Sequence, residues 1–208
     1  MFERMSVAVI VMCGCAPARA ELIDWSDAGL EVLPGASATS LALLGESVTP
    51  LFGYSLDLEI VALAGSTGTI SIDTAATNFF LARNLIAAGG AALDPVFSVI
   101  QPAMNGAFIS ANTADLSTVT ATPGVNDVLA QLFFAASSDA SGDFEVRVGG
   151  GTALSDGNGF PVAFESRSLP IRVIPAPASL ALLVGGLMAI GRRRGAEDLK
   201  GAEDARRA

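Results

Sequence analysis

The chain has 208 residues, is 51% hydrophobic but only 16% charged, and carries a formal net charge of −9. Residues 21–174 hold sixteen carboxylates against four arginines, and so acidic a surface repels phosphate backbones, which excludes nucleic acid as a partner. Histidine is absent and the two cysteines precede residue 21, so residues 21–174 lack the commonest general base as well as disulfide and thiol chemistry.

Residues 1–20 have the layout of a secretory signal peptide. A weakly positive start precedes about ten apolar residues, too few for a permanent membrane anchor. Ala18 and Ala20 present the small side chains that a signal peptidase recognises, which predicts passage through the export machinery and cleavage before Glu21. Two alternatives remain at this stage. The segment could be a buried first helix, or, since MCGC resembles a lipobox, Cys15 could be lipidated.

Residues 21–170 alternate apolar and polar side chains with period two, which predicts strands with one face in a core. Turn signals separate about eight or nine short strands and favour an all-β, jelly-roll-like β-sandwich. Only TNFFLARNLIAAGG predicts helix, of one or two turns closed by Gly89 and Gly90. The predicted inward-facing sets are Tyr54, Leu56, Leu58 and Ile60; Ile70 and Ile72; Phe144, Val146 and Val148; Phe160, Val162 and Phe164; and Leu169, Ile171 and Val173.

Two stretches of this predicted sandwich resemble cohesin modules. GVNDVLAQLFFAASSDASGDFEVRV, residues 124–148, is similar to a strand–turn–strand unit of cohesin-type sandwiches. YSLDLEIVALAG, residues 54–65, resembles the first long strand of that family. The resemblance implies a cohesin-like module used for binding rather than catalysis, and no dockerin-contacting residue is carried over to this chain.

The acidic turns offer one candidate metal site, for calcium. Asp139 and Asp143 in SSDASGDF, with Asp156 and Asn158 in LSDGNGF, supply the hard oxygen ligands that calcium prefers. They lack the spacing and the bidentate glutamate of a helix–loop–helix site, so ordinary hairpin turns are the alternative interpretation. No other cofactor is predicted. Without a Gly-x-Ser-x-Gly turn, a triad base or a convergent carboxylate pair, the sequence predicts a protein that is not an enzyme.

Residues 171–208 combine a linker (171–177), an apolar helix (178–191) and a charged tail (192–208). The apolar segment, extended slightly backwards, predicts a membrane span of marginal length. Arg192, Arg193 and Arg194 follow it and, by the positive-inside rule, stay cytoplasmic. A buried C-terminal helix ending in cations is the alternative.

The segment VIPAPASLALLVGGLMAIGRRR, residues 173–194, resembles the PEP-CTERM sorting signal of Gram-negative bacteria. Pro175, Ala176 and Pro177 occupy its Pro-x-Pro motif, with Ala176 in place of the usual glutamate. The resemblance implies anchoring in the inner membrane, processing by an exosortase-type protease, and a final location at the cell surface or in the extracellular matrix. It also implies association with extracellular polysaccharide or biofilm. Unlike that family, the chain continues beyond its arginines with GAEDLKGAEDARRA, a solvated helical tail.

These features predict an exported, surface-sorted, non-catalytic protein with a structural or adhesive role at the cell envelope or in the exopolysaccharide matrix. The alternative is a cohesin-like module with a defined ligand, either a carbohydrate or a surface protein. Trp25 and Tyr54, the sole tryptophan and tyrosine, are expected to pack in the sandwich rather than to form a sugar-binding platform.

Overall fold

The computed structural model describes residues 20–175, in which thirteen strands and one short helix build two packed sheets. The helix, α1 (Leu85–Ala88), lies between the fifth and sixth strands. The strands are β1 (Glu21–Trp25), β2 (Leu30–Val32), β3 (Ser37–Leu44), β4 (Leu51–Ala62), β5 (Ile70–Ile72), β6 (Val99–Ala103), β7 (Gly106–Asn112), β8 (Val128–Ala136), β9 (Gly142–Val148), β10 (Ala153–Asp156), β11 (Pro161–Val162), β12 (Phe164–Ser166) and β13 (Leu169–Val173).

The smaller sheet has the strand order β12-β1-β3-β8-β5, and the larger contains β11-β10-β4-β9-β13-β2. In the larger sheet β7 also pairs with β4, and β6 pairs with β7. Neighbours are antiparallel except for β1 with β12 and β2 with β13, which are parallel. The first two strands of the sandwich therefore pair with its last two.

The core lies between the two sheets and follows the period-two pattern of the sequence. Leu56 and Leu58 of β4 pack there with Val146 of β9 and Phe134 of β8, all essentially without exposure to solvent. The inward-facing sets predicted from the sequence are buried or partly buried, with one exception. Phe160 is 67% exposed, because it lies in the turn before β11 rather than on the inner face of a strand.

The strand count exceeds the predicted eight or nine because several long strands are interrupted. On one side of β4, β9 pairs with its second half and β10 with its first half. On the other side, β7 pairs with β4. Residues 149–152 bulge out between β9 and β10. Residues 26–29 break the first strand in a similar way, so that β1 joins the smaller sheet and β2 joins the larger.

The short helix is the one that the sequence predicts. The Asn84 side chain caps it by accepting hydrogen bonds from the backbone N–H groups of Ile86 and Ala87, at 3.0 and 3.2 Å. Gly89 ends it, and Gly90 follows with φ of 90°. Within residues 20–175 no helix is long and apolar enough to cross a membrane. The predicted membrane helix, residues 178–191, lies outside the described residues.

Tyr54 is buried in this core, as expected. Its hydroxyl donates a hydrogen bond to the Leu129 carbonyl oxygen at 2.5 Å, across the two sheets. Burial raises the pKa of the Tyr54 phenol well above its ordinary value, and a hydrogen bond with the Asn84 side chain offsets this only in part.

We expect the free energy of unfolding to fall above about pH 10, by about 1.4 kcal/mol per pH unit. In that range Tyr54 ionises in the unfolded chain but stays protonated in the folded one, so high pH favours unfolding. Because the chain has one tyrosine and one tryptophan, tyrosinate absorbance reports on Tyr54 alone while Trp25 fluorescence reports unfolding. The Tyr54→Phe variant should lose this alkaline slope. Tyrosinate appearing near pH 10 in a chain that is still folded would contradict the expectation.

Candidate functional site

The solvent side of the larger sheet presents an ordered array of polar and charged side chains. On β4, Leu56 and Leu58 point inward, so the side chains between and beside them point to solvent. The same alternation applies to β9 and β7, which flank β4. We call this surface the acidic face and define it by Ser55, Asp57, Glu59, Phe108, Ser110, Glu145 and Arg147.

Asp57 is the most firmly held member of the acidic face. Its Oδ2 accepts a hydrogen bond from the Gly151 N–H at 3.0 Å, and its own N–H donates to Thr152 Oγ1 at 2.9 Å. A Cβ at Gly149 or Gly151 would lie 2.6 or 2.9 Å from that Oδ2, so a side chain at either position would push the carboxylate out of this place. The glycines of VRVGGGTALS thus serve to wrap a carboxylate. The sequence pattern alone did not single out Asp57.

The arginines of the sandwich leave little positive charge free. Each of the four arginines in residues 20–175 forms an ion pair with a carboxylate. On the acidic face, Arg147 is 2.6 Å from Glu145 and lies directly opposite Glu59 in the β4–β9 pairing, but among the described residues neither Asp57 nor Glu59 forms an ion pair. The face therefore carries net negative charge. The four pairs are Arg83–Asp127, Arg147–Glu145, Arg167–Asp24 and Arg172–Asp143.

Glu145 stays ionised into the acidic range. A hydrogen bond from Ser168 and, second to it, the Arg147 guanidinium hold the pKa of Glu145 below its ordinary value. A carboxyl with a lowered pKa in the folded state contributes stability above its unfolded pKa and loses it as the pH falls through the folded one. Glu145 thus keeps its charge at neutral pH.

Two clefts lie where the β6–β7 turn meets the end of β4, and the first of them borders the acidic face. One, of about 330 Å³, lies between residues 57–61 and residues 103–106. The other, of about 540 Å³, opens between the two sheets and reaches Ile70, Ile72 and Phe144. Met104 stands between them at the tip of the turn and is 99% exposed. The turn therefore combines polar and apolar binding surface.

The four predicted calcium ligands do not come together. Asp143 lies beside the end of β4, with its carbonyl oxygen accepting from the Leu63 N–H, whereas Asp156 pairs with Leu51 at the beginning of that strand. Twelve residues of β4 separate the two positions by about 35 Å. Residues 20–175 contain no group of three or more acidic, His or Cys side chains that could hold a metal ion.

Asp156 and Asp139 instead have local partners, whereas the Asp143 carboxylate pairs with Arg172. Asp156 Oδ1 accepts from the N–H groups of Asn158 and Phe160, at 2.9 and 2.8 Å, and these backbone contacts lower the pKa of Asp156. A hydrogen bond from Ser137 likewise lowers the pKa of Asp139. The local hydrogen bonds agree with the turn interpretation.

Trp25 and Tyr54, whose residue types often form sugar-binding platforms, are buried and so cannot form one here. Trp25 is 7% exposed and donates its indole N–H to the Arg167 carbonyl oxygen at 2.9 Å. Tyr54 is 2% exposed. Both pack in the sandwich, as the sequence predicts.

The predicted processing sites lie at the borders of the described residues. Glu21 begins β1 with its side chain buried, and its N–H donates to the Ala163 carbonyl oxygen at 3.0 Å. At the other end, Pro175 is the last described residue and is exposed. Of the other predicted residues, Ala20 is described and half-buried, while Cys15, Ala18, Ala176, Pro177, Arg192, Arg193 and Arg194 lie outside the described residues.

Comparison with known proteins identifies the architecture. No family model matches the chain, and no curated protein matches it. Solved structures of cohesins do. The seventh ScaB type I cohesin from Pseudobacteroides cellulosolvens has a TM-score of 0.51 and 12% identity over 76% of this chain and 94% of that one. The third ScaB cohesin of R. flavefaciens, in complex with a group 1 dockerin, has a TM-score of 0.51 and 12% identity over 76% and 97%.

A third structure, a type I cohesin–dockerin complex from Clostridium thermocellum, has a TM-score of 0.50 and 10% identity, and covers 76% of this chain and 94% of that one. The class of fold is an all-β sandwich with its first strands paired to its last. More narrowly, the chain has the cohesin-like β-sandwich fold, as the resemblance of residues 54–65 and 124–148 implied.

Proposed function

We propose that this protein is an exported binding module that attaches a partner protein at the cell surface through its acidic face. The observation that carries the proposal is the fold. Cohesins share it, and two of the cohesin structures compared above were solved with a dockerin bound. An adhesive role follows, because a module anchored at one end and bound to a partner at its face links the two.

The acidic face suits protein recognition better than catalysis or sugar binding. It is a broad sheet surface with ordered side chains, of which Asp57 is held by the β9–β10 bulge. Asp57 and Glu59, which form no ion pair among the described residues, place negative charge beside a shallow cleft. A partner of complementary chemistry presents arginines or lysines around an apolar contact for Phe108 and Met104.

Export and sorting complete the proposal. The predicted signal-peptidase cut before Glu21 and the Pro175–Pro177 motif lie at or beyond the two ends of the sandwich, so neither cleavage would remove a strand. The partners at this stage are the export machinery, the inner membrane and an exosortase-type protease. Intact-mass analysis of protein from its source bacterium tests the proposed export and processing. A mature chain starting at Glu21 and ending near Pro177 is expected, and a chain that retains both segments would refute it.

The proposed binding of a partner protein is tested by charge reversal on the acidic face. A photo-crosslinking amino acid at Ser110, outward on β7, is expected to capture a protein from the envelope fraction, which mass spectrometry identifies. The double variant Asp57→Lys, Glu59→Lys should bind that purified protein at least about tenfold more weakly, because like charges then oppose its basic groups.

The matched control is Thr39→Lys, an exposed position on β3 of the other sheet, which should leave the affinity unchanged. Equal loss in the control, or binding confined to polysaccharides on a glycan array, would overturn recognition through the acidic face.

A further inference from the structure

A neutral hairpin interrupts the acidic surface of the sandwich. Residues 95–114, which include β6, the turn and β7, contain no charged side chain. They form the longest uncharged stretch in residues 20–175, where carboxylates outnumber arginines by sixteen to four. We call this segment the neutral hairpin.

The outer strand of the neutral hairpin is an unprotected sheet edge. β6 pairs with β7 on one side and has no strand on the other among the described residues. Three large apolar side chains stand exposed around it: Val96 at 74%, Phe97 at 59% and Met104 at 99%. Soluble proteins usually protect such edges with charged side chains or proline, and in β6 Pro102 is the one residue of this kind. The edge is thus suited to pairing with another strand.

The hydrogen-bond alternation identifies which backbone groups are free. Thr113 N–H donates to the Phe52 carbonyl oxygen, and Ile60 N–H donates to that of Asn105, so the odd-numbered residues of β7 bond to β4. The even-numbered residues of β7 consequently bond to β6. Their partners there are Val99, Gln101 and Ala103.

Ile100 and Pro102 of β6, and Ser98 directly before it, then direct their backbone groups outward. Ser98 and Ile100 offer both an N–H and a carbonyl oxygen to the free edge, while Pro102 offers a carbonyl oxygen alone. A strand that pairs with this edge therefore forms its best ladder at Ser98 and Ile100.

The charge distribution selects the occupant. A basic partner strand would be drawn to the uncompensated carboxylates elsewhere on the surface rather than to an uncharged edge. A second copy of this chain is repelled by those same carboxylates, and the neutral hairpin is where two copies can approach with the least repulsion. The second copy also supplies an identical free edge, which two-fold symmetry satisfies at the same time.

We propose that two copies of this protein associate through their β6 edges, antiparallel about a two-fold axis that passes beside Val99. This register pairs Ser98 of each copy with Ile100 of the other and leaves Pro102 outside the ladder. On the solvent side Val99 meets Val99 of the second copy, and the bend that contains Phe97 lies just beyond the ladder. Both larger sheets become one continuous sheet, and the exposed Phe97 rings gain cover.

Cysteine pairing tests the register directly. In the full-length protein with Cys13 and Cys15 replaced by serine, Val99→Cys is expected to form a covalent dimer on mild oxidation, since directly opposed residues in a non-hydrogen-bonded pair suit a disulfide. Gln101→Cys alone should cross-link no faster than the control, because this register does not place Gln101 of one copy opposite Gln101 of the other. The matched control is Ser71→Cys, exposed on the edge strand β5. Cross-linking of Val99→Cys no faster than this control would overturn the proposal.

Sedimentation velocity tests the uncross-linked dimer. Val99→Lys places two ammonium groups opposite each other and should weaken dimerisation about tenfold or more, while Ser71→Lys should not. Added salt should strengthen the wild-type dimer by screening the acidic bodies. An unchanged dimerisation constant in Val99→Lys would mean that association occurs elsewhere, for example through the apolar terminal segments. Val99 lies opposite Ser110 at the rim of the acidic face, two strands away from Asp57 and Glu59, so the affinity of Val99→Lys for the captured partner is measured as well and separates dimerisation from partner binding.

Discussion

Replacing Arg83 with methionine is expected to lower the free energy of unfolding by about 3 kcal/mol. The side chain of Asp127 is only 5% exposed, and Arg83 contacts both of its carboxylate oxygens. Without Arg83, the Asp127 carboxylate would accept one hydrogen bond from the described residues, from the Gly124 N–H at 2.6 Å. A buried charge that has lost its partner is strongly destabilising. Arg83 itself is 41% exposed, which puts the expected cost at the lower end of the range for buried pairs.

A surface ion pair in the same chain provides the matched control. Arg147→Met breaks the pair with Glu145, but Arg147 is 51% exposed, so the cost should stay below about 1 kcal/mol. Urea unfolding followed by Trp25 fluorescence measures both variants. Adding Asp127→Asn to Arg83→Met should recover part of the loss, because the buried group is then neutral. An equal cost for the two single variants would contradict the expected role of burial.

Gly106→Ala should be comparably damaging, at about 3 kcal/mol, for a steric reason. Gly106 begins β7 opposite Glu59, and a Cβ built there would overlap the carbonyl oxygen of Leu58. The obstacle is backbone rather than a flexible side chain, so relief requires β7 to move away from β4. Because β6 is attached through β7, the whole neutral hairpin is expected to loosen.

Gly150→Ala is the control for this substitution. Gly150 has no atom within 4 Å of the position of a Cβ and no left-handed backbone conformation, so alanine should change stability by no more than about 0.5 kcal/mol. Urea unfolding again gives the comparison, and hydrogen exchange of residues 99–112 reports whether the hairpin opens first. A Gly106→Ala protein as stable as Gly150→Ala would show that the strands tolerate the extra methyl group.

The sequence was most informative where burial alone decides the structure. The alternation in residues 54–58 and 144–148 predicts inward and outward side chains correctly, because a half-buried strand needs one apolar face. The helix ending at Gly89 was equally visible, since its stop signal is local. These patterns sufficed for the all-β class and for the cohesin-like architecture.

Features that depend on distant contacts were not predictable in this way. The bulge between β9 and β10 exists because residues 149–152 wrap around Asp57, more than ninety positions earlier in the chain. The proposed calcium ligands failed to meet for the same reason. Local composition marks Asp143 and Asp156 as turn residues but does not reveal that their turns lie at opposite ends of β4. The acidic face could be assembled only once β4, β7 and β9 were known to be neighbours.

The parallel pairing of the earliest strands with the latest has a consequence for the export proposed above. The β1–β12 and β2–β13 pairings join residues some 140 positions apart. Contacts of such long sequence separation are among the slowest to form in folding. A chain threaded outward from its N-terminus cannot close its sandwich until Val173 has emerged. Under the proposed export, the body should therefore stay translocation-competent for almost the whole passage and complete its fold only after crossing the membrane.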